Sequence, residues 1–231
     1  MCMDVLQEYF RDNLQVSIHN VPVSLQDIET FSFKEMLAHN RAPEGISVAM
    51  SIFEKISSSL NPLEGKMILD VGCHIGQFSF LMAESGARVT GVESNPLLAL
   101  IAEHIKSLKK LQVKIVSMAI EDFLQIDNVF YDAVLLLNVF DQMLRTNEEN
   151  AWKTLQLIHQ NSKYLFMMTG PTEQLPNTPG LRTTQPLSVP PKPIKESWEY
   201  GYEMIMRKAE YKHLNTLLRN SYAERELWFF Y

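Results

Sequence analysis

Cysteine is scarce in this chain, with only Cys2 and Cys73 among 231 residues. One stands at the start and the other inside a glycine-bearing motif, so a disulfide framework is excluded as the source of stability. Positive charge is also short. Lysine plus arginine total 21 against 27 aspartate plus glutamate, a formal net charge of −6. A protein that grips a polyanion usually offers a basic face. The densest basic cluster here, Lys106, Lys109, Lys110 and Lys114, has the spacing of a solvated helix face. Nucleic acid is therefore disfavoured as a partner and a small molecule is favoured. No window approaches the roughly 18 uncharged apolar residues that a membrane-spanning helix needs, so no such helix is expected. The opening MCMDVLQEYFRDN carries acids early and lacks a basic segment followed by an apolar core. That argues against a secretory leader and makes the cytoplasm the expected location.

What is present is a globular composition, 46% hydrophobic and 10% aromatic, enough to bury a sizeable core. Residues 1–62 read as mostly helical, with apolar residues at three- and four-residue spacing over 4–14, 25–39 and 47–60. Asn61-Pro62 closes that segment. From Lys66 the pattern alternates. Short apolar strands are expected at 67–71, 87–93, 113–118, 131–138 and 163–169. Helices are expected at 77–85, 96–109 and 148–160. Unbroken apolar strands alternating with helices imply a parallel sheet covered on both faces. Residues 170–195 hold seven prolines and two glycines and read as a long loop, either a lid or merely mobile. A helix over most of 203–220 and a last strand at 226–231 complete the expectation. The apolar end LWFFY suits either the sheet or a subunit interface, and both a monomer and a homodimer fit.

The stretch ILDVGCHIGQFSF, residues 68–80, carries the chemistry. A buried strand ends in an acid, Asp70. Gly72 and Gly76 follow, and the chain then turns helical. In an open α/β sheet, ligands lie beyond the carboxyl ends of the strands. Glycines at that turn let backbone pass close to a ligand. The dinucleotide fingerprint G-x-G-x-x-G is absent, which counts against a nicotinamide-dependent dehydrogenase. A carboxylate in that place repels phosphate and suits a cation. S-adenosylmethionine offers a sulfonium and an α-ammonium and no phosphate, and Asp70 can accept hydrogen bonds from the ammonium. Glu93 ends the next strand, seventeen residues after Gly76. An acid there can take both ribose hydroxyls.

At these residues the chain resembles the class I S-adenosylmethionine-dependent methyltransferases. The resemblance rests on ILDVGCHIGQFSF, VTGVESNP, the IEDF at 120–123 and YDAVLLLNVFDQML, in that order, over about residues 64–170. It implies a doubly wound α/β fold with a seven-stranded sheet of order 3-2-1-4-5-7-6, strand seven antiparallel, helices on both faces and an N-terminal helical lid. The corresponding division is a lid at 1–62 and a Rossmann-like domain at 63–231. The family motif usually has a third glycine where this chain has His74. His74 is read as a plain turn residue, with a cofactor contact as the alternative.

The cofactor residues that the resemblance implies are Asp70, Gly72, Cys73, His74, Gly76, Glu93 and Ser94, then Ile120 with Glu121 or Asp122 at the adenine, and Asn138 at the methionine end. Glu121 and Asp122 equally suit the start of a helix, where acids favour the macrodipole. Asp141 faces the acceptor in the family and is the leading candidate for a substrate contact or base; an ordinary helix-start carboxylate is the equal alternative. The region after strand five, Thr169-Gly170-Pro171, lacks the second carboxylate and amide of metal-dependent catechol-type enzymes, so no metal is expected. The expected function is methyl transfer to a small molecule. RNA or protein methylation, and a non-catalytic methyltransferase-like subunit, are the alternatives.

Overall fold

The computed structural model describes residues 16–18, 21–23, 45–168, 211–220 and 225–231. The helices expected over 4–14 and 25–39, and the proline-rich stretch at 170–195, lie outside these residues. The chain divides into two compact units, Met1–Phe123 and Leu124–Tyr231.

In the first unit, β1 (Val16–Ile18) and β2 (Val21–Val23) pair antiparallel, Val16 opposite Val23 and Ile18 opposite Val21. These residues lie between the helices expected at 4–14 and 25–39, and the mostly helical reading of 1–62 gave them no strand. Valine and isoleucine recur there, and β-branched side chains suit a pleated strand better than a helix. α1 (Gly45–Leu60) follows. It buries Ile52, Ile56 and Leu60 at four-residue spacing along one stripe.

The unit then alternates as expected. β3 (Met67–Val71), β4 (Arg88–Glu93) and β5 (Val113–Ser117) are parallel, with β4 in the middle. α2 (Gln77–Glu84) joins β3 to β4, and α3 (Pro96–Lys109) joins β4 to β5. α3 starts where it does because Asn95 Oδ1 accepts from the Leu97 N–H at 3.0 Å while Pro96 fills the first helical position. Ile68, Leu69, Phe80, Leu81 and Met82 are fully buried, so β3 and α2 share one core. α4 (Ile120–Ile126) comes after β5.

In the second unit, β6 (Tyr131–Leu137) and β7 (Ser162–Met168) are parallel, with Tyr131 opposite Ser162. α5 (Phe140–Thr146) and α6 (Glu148–Gln160) connect them. β8 (Leu214–Asn220) and β9 (Arg225–Phe230) pair antiparallel, and β9 also pairs antiparallel with β7. The order within the unit is β6-β7-β9-β8. The first unit thus holds the 3-2-1 part of the expected order and the second the 4-5-7-6 part, with the last strand reversed. One expectation is overturned: 214–220 is strand and not helix. Its backbone is taken up by pairing with β9, a tertiary demand that local helical spacing does not report.

Candidate functional site

The site in the first unit is built where β3 gives way to α2. Asp70 ends up buried, 4% exposed, because it lies inside the strand rather than past it. Gly72 and Gly76 adopt φ of 66° and 90°, the left-handed region that favours glycine. At Gly76 a side chain is also excluded by space, since a Cβ would collide with the ring of Phe80. Between them His74 sits exposed at φ 55°, a left-handed conformation that histidine tolerates. The missing third glycine therefore leaves the turn intact.

Two carboxylates converge on this turn. Glu93, at the end of β4, is 7% exposed. Its Oε2 accepts from the His74 N–H at 2.9 Å, and its Oε1 accepts from the Asn95 N–H at 2.8 Å. Each oxygen has a further lone pair, so the carboxylate is fixed and still able to accept. Asp70 Oδ2 accepts from the Ser79 hydroxyl at 2.7 Å. Burial raises the Asp70 pKa from 3.8 to about 6; nearby Glu93 raises it too, while hydrogen bonds from Ser79 oppose the rise. A folded-state value above the ordinary one favours the protonated form in the fold. That contribution to stability is present below pH 3.8 and is lost as pH rises through about 6. A cation delivered to Asp70 reverses the penalty, because an opposite charge favours the ionised carboxylate.

Several N–H groups of the turn are bonded within the protein. The Gly72 and Cys73 N–H groups both donate to Val92 O, at 2.8 and 3.1 Å, and the Gly76 N–H donates to Cys73 O at 2.8 Å. Gln77, buried at the first position of α2, leaves its side-chain Nε2 without a hydrogen-bond partner, a donor still to be satisfied. Two acids, one of them awaiting a counter-charge, together with an unsatisfied buried amide, fit S-adenosylmethionine: an ammonium for Asp70 and a ribose diol for Glu93.

The resemblance sets Cys73 at the cofactor turn, and its side chain there points inward. Its thiol is buried, and burial pushes its pKa well up, which favours the protonated thiol. Its Sγ packs toward Gly91, where an added Cβ would come within 2.9 Å of both Cys73 Sγ and Ser79 Oγ. Sequence reasoning missed Gly91 and Ser79. Gly91 lies opposite Asp70 in the β3–β4 register, and its empty side is what Cys73 and Ser79 fill. Gly91→Ala is expected to cost about 1–3 kcal/mol by overpacking, read as a melting temperature lower by roughly 3–10 °C.

Ser94 is exposed just past β4. Ile120 is buried, and Glu121 and Asp122 occupy the first turn of α4, the helix-start placement. In the second unit, Asn138 follows β6 at φ 60°, its N–H donating to Met168 O at 2.6 Å and its carbonyl accepting from Gln142 Nε2 at 2.9 Å. Its side-chain Oδ1 is buried without a hydrogen-bond partner. Asp141 stands in the first turn of α5. Among the described residues, no group of three or more His, Cys, Asp or Glu side chains is arranged to hold a metal, and no helix is long and apolar enough to cross a membrane.

A family model described as a methyltransferase domain matches residues 68–161. A ubiquinone biosynthesis O-methyltransferase of Alkalilimnicola ehrlichii is 30% identical over 88 residues, 38% of this chain and 36% of that one. A tRNA U34 carboxymethyltransferase of Shewanella baltica is 32% identical over 118 residues, 45% of this chain and 35% of that one. The matches thus span about a third of the length of these curated relatives. The crystal structure of a magnesium protoporphyrin IX methyltransferase from Synechocystis PCC 6803 with bound S-adenosylmethionine superposes with a TM-score of 0.58 at 15% identity, over 100% of this chain and 97% of that one. The strand-end carboxylates, the glycine turn, the α/β fold and the family match agree: residues 68–161 carry a methyltransferase domain, on the Rossmann-like fold that S-adenosylmethionine-dependent methyltransferases share.

Proposed function

We propose that this protein transfers the methyl group of S-adenosylmethionine to a small-molecule acceptor in the cytoplasm. The carrying observation is the pair of buried carboxylates at adjacent strand ends, Asp70 and Glu93, which meet at one glycine-bearing turn. Asp70 takes the α-ammonium and Glu93 the ribose diol. The turn of Gly72–Gly76 lets the cofactor approach the backbone. Ile120, with Glu121 or Asp122, borders the adenine. Asn138 offers its side-chain oxygen at the methionine end. The acceptor's lone pair attacks the methyl carbon in line, and the carbon–sulfur bond breaks with its electron pair left on sulfur, giving S-adenosylhomocysteine. Placement supplies most of the acceleration. Asp141 removes the acceptor's proton where the acceptor is a hydroxyl, a contribution of about 10²–10⁴.

The formal charge of −6 supports a small acceptor over a polyanion. RNA is the second reading. It draws on the similarity to a tRNA-modifying protein and on Arg88, Lys106 and Lys114, which line one surface depression of the first unit. Methyl-tritiated cofactor supplied with a cell extract separates the two. Label recovered in small molecules, unchanged by prior ribonuclease or protease treatment, is expected. Label lost on ribonuclease treatment replaces the small-molecule reading with the RNA one. No transfer by a protein that binds the cofactor leaves the non-catalytic role.

A further inference from the structure

The strongest unassigned contact in the first unit is the one between Ser79 and Asp70. Ser79 is fully buried, two residues into α2, and its hydroxyl donates to Asp70 Oδ2 at 2.7 Å. A serine in a helix usually spends its hydroxyl on a carbonyl of the preceding turn. Ser57, Ser58 and Ser59 of α1, Ser85 after α2 and Ser107 of α3 all do so. Ser79 instead reaches across to the strand. It does so in the space that Gly91 leaves beside it on β4. A carboxylate on a strand end, a hydroxyl on the following helix and a glycine on the neighbouring strand thus form one buried unit.

We propose that Ser79 is a positioning residue of the cofactor site: by occupying Asp70 Oδ2 it fixes the carboxylate, keeps it ionised and leaves Oδ1 for the cofactor's α-ammonium. This rests on the cofactor reading given above. Without the hydroxyl, a buried carboxylate beside Glu93 has fewer hydrogen bonds favouring its charged form, and it holds its proton to higher pH. A protonated Asp70 offers the ammonium no charge. Ser79 therefore sets the pH below which the cofactor leaves. The titratable groups that face Asp70 are Glu93 on β4 and the Cys73 thiol of the turn, and the thiol stays protonated throughout this range. His74, whose N–H meets Glu93, is the remaining titratable group, its pKa held below the ordinary histidine value by desolvation, which nearby Glu93 opposes.

The test is calorimetric titration of the full chain with S-adenosylhomocysteine from pH 5 to 8. The proteins are the wild type, Ser79→Ala and Ser79→Thr, each repeated in a His74→Asn background, where asparagine keeps the left-handed turn. Wild-type affinity is expected to be level above pH 7 and to fall roughly tenfold per unit below about 6. Ser79→Ala removes a single oxygen and is expected to fold. It should move the midpoint of that profile up by about one pH unit and weaken binding at pH 7.5 several-fold. Ser79→Thr, which keeps the hydroxyl, should restore both, and the shift should survive in the His74→Asn background. A Ser79→Ala profile with the wild-type midpoint overturns the positioning role while leaving the cofactor site standing. A folded wild type that binds at no pH overturns both.

Discussion

Glu93→Ala is expected to weaken S-adenosylhomocysteine binding by at least about 100-fold and to lower the melting temperature by roughly 5–15 °C. Both effects come from the same two oxygens. In the fold they hold the N–H groups of His74 and Asn95, one on the glycine turn and the other capping α3. Removing them leaves two donors of a partly buried turn without their acceptor, at up to about 1–3 kcal/mol each. In the proposed cofactor site they are a fixed, charged acceptor for the ribose diol, and a hydrogen bond to a charged group contributes about 1.5–3 kcal/mol. Glu93→Gln keeps one acceptor oxygen and sets an amide NH₂ against a backbone N–H, so it should fall between wild type and alanine in both measurements. Thermal melts and calorimetric titration on the three proteins read the order directly. Equal stability of Glu93→Ala and wild type would show that the carboxylate does not organise the turn.

Gly76→Val is expected to cost about 3–5 kcal/mol, the largest stability loss of any single change in the turn. Two penalties add. The position has φ 90°, where an L residue with a β-branch is strained. Its Cβ also meets the ring of Phe80, which is fully buried and has nowhere to move. The Gly76 N–H bond to Cys73 O and the Phe80 N–H bond to Gly76 O tie the same residue into both sides of the turn, so a shift there misplaces Asp70's surroundings as well. His74→Gly is the contrast. His74 already lives at φ 55° with an exposed side chain, and its replacement should change stability by less than about 1 kcal/mol. Chemical denaturation of both variants distinguishes a turn that needs glycine at one place from a turn that needs glycine throughout.

The alternating half of this fold is legible because its strands and helices differ in period and are well punctuated. Pro96 and Lys109 bound α3 at the expected residues, with proline at the first turn, and Asp70 and Glu93 mark strand ends because an acid there interrupts an apolar run. Three features were not legible. Leu214, Leu217 and Leu218 stand at helical spacing, yet Leu214–Asn220 is claimed by pairing with β9, a contact set by the sheet and not by the neighbours in sequence. The paired strands 16–18 and 21–23 are too short for period alone to reveal. Gly91 looks like a strand weakness until the β3–β4 register places it opposite Asp70 and against Cys73 and Ser79. Ser79 had a signal in principle, a small hydroxyl side chain nine residues past the acid and on the first turn of the helix. Cys73 was assigned to the cofactor by its place in the motif, and its side chain turns inward because a buried neighbour strand carries glycine there.

Calorimetric titration of the wild type and Glu93→Ala with S-adenosylhomocysteine at pH 7.5 tests whether the carboxylate pair holds the cofactor. The carboxylate pair predicts one site per chain on the wild type, with a Kd on the order of micromolar, and binding too weak to detect in the variant. No heat from a folded wild type, or equal affinity in the two proteins, would contradict the assignment of this turn as the cofactor site.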